Sequence, residues 1–148
     1  MPKFRGSDFE IELPTGSSDE STYAFAFRAR GGFRPSVTVK TERLATPTEL
    51  GAYVDRQLEN IQKLLPEVAV IGRAPVQHGE GPAYVAVYDF GEAARRVRQK
   101  QTYIQLQDPA RIVTLTGTGL KESFGEVDDL FEAVFRSFHV SAPDRGAE

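Results

Sequence analysis

Polar and apolar residues alternate along most of this chain, and twice the alternation gives way to the three-to-four-residue spacing of an amphipathic helix. Residues 8–13 (DFEIEL) set Phe9, Ile11 and Leu13 on one side and stop at Pro14, which predicts a short strand at a sheet edge. After turn-forming residues 15–20, residues 21–29 (STYAFAFRA) alternate Tyr23, Phe25 and Phe27 with Thr22, Ala24, Ala26 and Arg28, so this strand is apolar on both sides. Gly31-Gly32 breaks it, and residues 36–44 (SVTVKTERL) resume the alternation with β-branched side chains, consistent with a hairpin.

The helical spacing first occurs after Thr46-Pro47-Thr48-Glu49, which offers a capping threonine, proline at the first helical position and glutamate three residues beyond the cap. Leu50, Val54, Leu58, Ile61 and Leu65 then form a stripe with Tyr53, Gln57 and Leu64 beside it, while Asp55, Arg56, Glu59 and Lys63 face outward. The helix ends at or before Pro66. Strand patterns follow at 68–76, 83–90, 97–107 and 112–118, separated by the breakers of 78–82, 91–92 and 108–109, and predict an antiparallel meander. Ser123-Phe124-Gly125-Glu126 repeats the capping spacing ahead of a closing helix carrying Val127, Leu130, Phe131, Val134, Phe135 and Phe138. Three strands, a helix, four strands and a helix, without regular βαβ alternation, make an α+β fold: an antiparallel β-sheet sandwich packed with two main helices. Residues 1–141 read as one domain and 142–148 as a frayed tail.

Composition narrows the function. The 148 residues are 40% hydrophobic, enough for one substantial core, and carry a net charge of −3. The densest basic stretch, 95–100 (RRVRQK), is interrupted, so nucleic acid is not an expected partner. There is no cysteine, hence neither a disulfide nor a thiolate metal site. No apolar run approaches the ~20 residues of a membrane span, and residues 1–14 lack the apolar core of a signal peptide, so a cytoplasmic protein that is not membrane-embedded is expected.

Little in the sequence points to catalysis. The two histidines, His78 in a glycine-rich turn and His139 at the end of the last helix, sit in no motif. Glu126, Asp128 and Asp129 fall where a helix dipole favours negative charge, Gly117-Thr118-Gly119 is too poor in glycine for a phosphate loop, and no serine elbow is present. No enzyme activity, metal or cofactor is expected. The amides stand out instead: in 97–107 one face reads Val97, Gln99, Gln101, Tyr103 and Gln105, and Gln57 adjoins the apolar stripe of the first helix. Such a face is either the wet side of a strand or the lining of a groove that binds an apolar peptide and pairs its few polar groups. The strand of residues 21–29 likewise suits either a two-sided core or a sheet with a client on one side.

Residues 53–60 (YVDRQLEN), together with DFEIELP at 8–14 and RQKQTYI at 98–104, resemble the DcrB-like family, and within it the Eag chaperones of type VI secretion effectors. The likeness runs from about Phe4 to Val140, and the RQLEN stretch is its most specific part. It implies a Mog1/PsbP-like fold and a chaperone that keeps the hydrophobic N-terminal transmembrane segments of a cognate secreted effector soluble before export, two copies embracing the client as a homodimer. By position it assigns polar client contacts to Ser36, Gln57 and Gln101, and apolar contacts to Ala24, Val37, Thr38 and Val39, with the groove-facing parity of those strands left open. The family also includes envelope lipoproteins, which the missing leader and lipidation cysteine disfavour. The alternative is a non-enzymatic module of the same fold that binds a soluble protein partner.

Overall fold

The computed structural model describes residues 3–5, 8–16, 22–29, 31–108 and 110–140; the predicted tail and most of the loop at 15–20 lie outside them. Its framework is one six-stranded antiparallel sheet in the order β3-β4-β8-β7-β6-β5, from β3 (Thr22–Ala26), β4 (Ser36–Arg43), β5 (Ala69–His78), β6 (Gly81–Phe90), β7 (Val97–Gln105) and β8 (Arg111–Leu120). The predicted β3–β4 hairpin and the β5-to-β8 meander are both present, and β4 joins them by pairing with β8 along its whole length. The segment expected at a sheet edge is not there: β2 (Glu10–Glu12) pairs with β1 (Lys3–Arg5) in a separate two-stranded ribbon. Phe9 and Ile11 are exposed on it, so three residues of alternation did not carry enough apolar area to dock.

Two helices sandwich the sheet. On one side α2 (Asp128–Ser137), led by a short 3-10 helix at Lys121–Glu126, packs Phe124, Val127, Phe131 and Phe135 against Val37, Ala83, Ile104, Val113 and Leu115. Burying each large side chain is worth roughly 1.5–3 kcal/mol. The close approach depends on β8: a Cβ on Gly117 would lie 2.7 Å from the Phe131 ring, so glycine lets the ring rest on the strand. On the other side α1 (Leu50–Leu64) lays Leu50, Tyr53, Val54 and Leu58 against Ala86, Tyr88, Tyr103 and Ile112.

Both predicted helix starts need correction. Helix α1 begins at Leu50, and its cap is Glu49, whose carboxylate accepts the N–H groups of Gly51 (2.9 Å) and Ala52 (2.8 Å). These two backbone bonds hold the Glu49 carboxyl below its usual pKa. Thr46 and Pro47 precede the helix. In the closing segment, the Ser123–Glu126 spacing forms the 3-10 turn, and α2 starts at Asp128 without a side-chain cap, its dipole met by Asp128 and Asp129.

Candidate functional site

Alternation along the strands sorts every side chain onto the α1 side or the α2 side of the sheet. The two helices do not cover equal shares. Helix α1 lies over β6, β7 and the Ile112 end of β8, which leaves the rest of β8, most of β4 and β3 without a helix on that side. The uncovered part is a set of parallel rows fixed by strand register. One row runs Ala24, Thr38, Thr116, Gln101, Ala86; the next runs Ala26, Ser36, Thr118, Gln99, Tyr88; a third runs Thr22, Lys40, Thr114, Tyr103, Tyr84. The first two rows contain methyl, hydroxyl, amide and phenol groups and no charge.

Within those rows the polar groups are wired together across strands. The Tyr88 hydroxyl donates to Gln99 Oε1, and Gln99 Nε2 donates to Thr118 Oγ1 at 3.0 Å. In parallel, the Tyr103 hydroxyl donates to Gln101 Oε1, and Gln101 Nε2 donates to Thr116 Oγ1 at 3.2 Å. Tyr88 and Tyr103 are each 1% exposed, and burial pushes both phenols well above the ordinary tyrosine value, so they stay protonated donors. Gln99, Gln101, Ser36, Thr38 and Thr118 are half-buried, while Ala24 and Ala26 are exposed. At the α1 border, Gln57 lines a cleft of about 270 Å³ with Glu42, Leu44, Tyr53, Arg56 and Asn60. Tyr53 spans it, donating to Glu42 Oε2 at 2.6 Å.

The seven residues assigned from sequence therefore do not share one surface. Ala24, Ser36, Thr38 and Gln101 lie on the α1 side of the sheet, and Gln57 lies on the helix that borders it. Val37 and Val39 lie on the opposite side: Val37 is 1% exposed within the core under α2, and Val39 packs against that core. The cause is the strand period of two, which sends neighbours 36, 37, 38 and 39 to alternate faces. Thr116, Thr118, Gln99, Tyr88 and Tyr103 complete the rows. Their signal was the Thr114, Thr116, Thr118 alternation in β8, which lies opposite the glutamine alternation in β7 once the hairpin is drawn.

Two charged clusters lie on the other side and are internally paired. Asp89, 1% exposed, receives Arg98 Nε at 2.7 Å and Nη2 at 3.0 Å, and the Arg98 bond holds its carboxyl below the usual range. Burial draws the Lys100 pKa down, but its bonds to Glu132 and Asp128 outweigh that and leave it raised. A larger hollow, about 710 Å³, lies beside the β5–β6 turn, and two of its ionisable groups, Glu49 and His78, are already engaged. There Glu49 caps α1, and His78 uses both ring nitrogens, accepting from Glu80 N–H at 3.0 Å and donating to Phe135 C=O at 2.9 Å.

Comparison with known proteins agrees with this architecture. A family model described as DcrB matches residues 9–137. The chain is 28% identical over 120 residues, 80% of its length and 83% of the relative's, to the Pseudomonas aeruginosa protein named Effector EagT6. Among solved structures, the Pseudomonas aeruginosa protein PA94, of unknown function, superposes with a TM-score of 0.76 at 20% identity, covering 96% of this chain and 98% of that one. The Saccharomyces cerevisiae Ran-binding protein Mog1p gives 0.54 at 12% identity, covering 82% and 76%. The fold is Mog1/PsbP-like, as the sequence implied.

Proposed function

The chain belongs to the DcrB family, and from that premise we propose that it is a chaperone which shields the hydrophobic N-terminal transmembrane segments of a type VI secretion effector before export. The observation that carries this reading is the pair of uncharged rows on the half-sheet beside α1, where Ala24, Ser36, Thr38 and Gln101 present methyl, hydroxyl and amide groups in register. A client helix needs both kinds of group. Removing its apolar surface from water is worth ~25 cal/mol per Å², so each 100 Å² covered contributes about 2.5 kcal/mol, which calls for a broad face rather than a pocket. Its occasional polar side chains need partners, and hydroxyls and amides supply them without the desolvation cost of a charge.

The name of the relative, Effector EagT6, supports a link to a secreted effector. In this reading Gln57 reaches the client from α1, and two copies of the chain enclose it in the cytoplasm. Val37 and Val39 serve the core and not the client. Among the described residues no helix is long and apolar enough to cross a membrane.

The test is co-expression with a candidate effector that carries a hydrophobic N-terminal segment, followed by size-exclusion chromatography with light scattering. The expected result is a complex containing two copies of this chain that is lost when the effector's hydrophobic N-terminal segment is deleted. Co-elution that survives the deletion would replace this reading with a module for a soluble partner.

A further inference from the structure

The two cross-strand relays have a direction, and buried tyrosines set it. Tyr88 and Tyr103 are almost wholly enclosed by the α1 core, so their hydroxyl hydrogens have no water to turn to. Among the described residues, the acceptors these two hydroxyls reach are Gln99 Oε1 and Gln101 Oε1. Turning either amide over would bring its NH₂ against the phenol and strand the O–H without an acceptor, a cost that buried polar groups do not bear. Each glutamine is therefore locked with its oxygen toward α1 and its nitrogen toward β8.

From that lock the rest of the polarity follows. An amide nitrogen carries two hydrogens, and the threonine on β8 takes one from each glutamine. The second N–H of each half-buried glutamine remains, and beside it stands the half-buried hydroxyl of Thr118. Thr116 is buried, whereas Gln99, Gln101 and Thr118 are half-buried, so the hydrogens that reach the uncovered half of the sheet are those of the two amides and the Thr118 hydroxyl. That half-sheet is a surface with surplus donors.

We propose that Tyr88 and Tyr103 are positioning residues which orient Gln99 and Gln101, turning this face into a donor surface selective for hydrophobic helices that carry a neutral hydrogen-bond acceptor. The inference rests on the chaperone reading and deepens it. Neither tyrosine need touch the client; each acts through its glutamine.

The probes are two fluorescently labelled alanine–leucine helices of about 20 residues with flanking lysines, identical except for asparagine or leucine at the centre. Affinities are read by anisotropy with the full-length chain, for the natural protein and for Tyr88→Phe, Tyr103→Phe and the double variant. Phenylalanine keeps the ring packing, so the melting temperature is expected to stay within about 4 °C of the parent for each single change. The parent is expected to prefer the asparagine helix by about 10-fold, and the double variant by less than about 3-fold, with the leucine helix bound equally by both. A parent preference that persists in the folded variants, no preference in the parent, or an equal loss of both probes overturns the inference while leaving the chaperone reading standing. Failure of the parent to bind either helix overturns both. Should the double variant not fold, the single variants decide by the same ratio.

Discussion

The two sides of one strand, β8, behave as different materials. Residues 113, 115, 117 and 119 (Val, Leu, Gly, Gly) face α2 and vanish under Phe124, Val127 and Phe131, whereas residues 112, 114, 116 and 118 (Ile, Thr, Thr, Thr) face α1, and only Ile112 lies in the core there. Over β8 the α2 side is closed by aromatic packing, with the neighbouring charges held in paired clusters. The α1 side is half covered, and two of the three rows on its open half are polar without being charged. Stability and recognition are thus divided between alternate residues of the same backbone, and substitutions one position apart are expected to have unlike effects.

The sharpest break in that contrast is Phe131→Ala, which removes the ring at the centre of the α2 core. A loss of about 3–5 kcal/mol in denaturant unfolding is expected. Next is Asp89→Asn, which leaves Arg98 without its carboxylate and weakens the pair with Lys121 at 3.8 Å. The expected cost is about 2–3 kcal/mol near neutral pH. Because the folded carboxyl is lowered, the contribution of Asp89 is complete above the ordinary carboxylate range and is lost as pH falls through the lowered folded value. Parent and variant stabilities should accordingly converge on acidification below about pH 4.

Gly117→Ala tests the same side more gently: its methyl meets the Phe131 ring at 2.7 Å, and about 1–3 kcal/mol of overpacking strain is expected. The smallest effect belongs across the sheet, one residue away. Thr116→Val keeps the shape but removes the acceptor for Gln101, and should cost no more than about 1 kcal/mol. Its effect on retention of an effector's hydrophobic segment should be larger than its effect on unfolding. An equal or greater loss of stability for Thr116→Val than for Gly117→Ala would erase the division.

Much of this was legible in the sequence because it rests on periodicity. The stripes of α1 and α2, the β3–β4 hairpin and the meander all follow from repeats of 3.6 or 2. What failed were local capping rules. Thr46-Pro47 and Ser123-Glu126 carry the right spacing, but Glu49 already satisfies the two amides of Gly51 and Ala52, and Phe124 is drawn into the core at the turn. The candidate site was half legible. Ala24, Ser36, Thr38, Gln57 and Gln101 could be named from the chain, but only the register of β4 on β8 separates them from Val37 and Val39. The threonine partners of the glutamines become visible only when β7 and β8 are laid side by side.

The ends of the sheet carry one further consequence. At β5 the outer edge is interrupted by the irregularity between Val70 and Gly72, by Arg73 and by Pro75, which has no N–H to offer. At β3 the edge is Thr22–Ala26, regular and uncharged, with Tyr23 and Phe25 more than half exposed. The sheet is therefore asymmetric at its borders: β5 is blunted, and β3 offers the more regular template for an added strand.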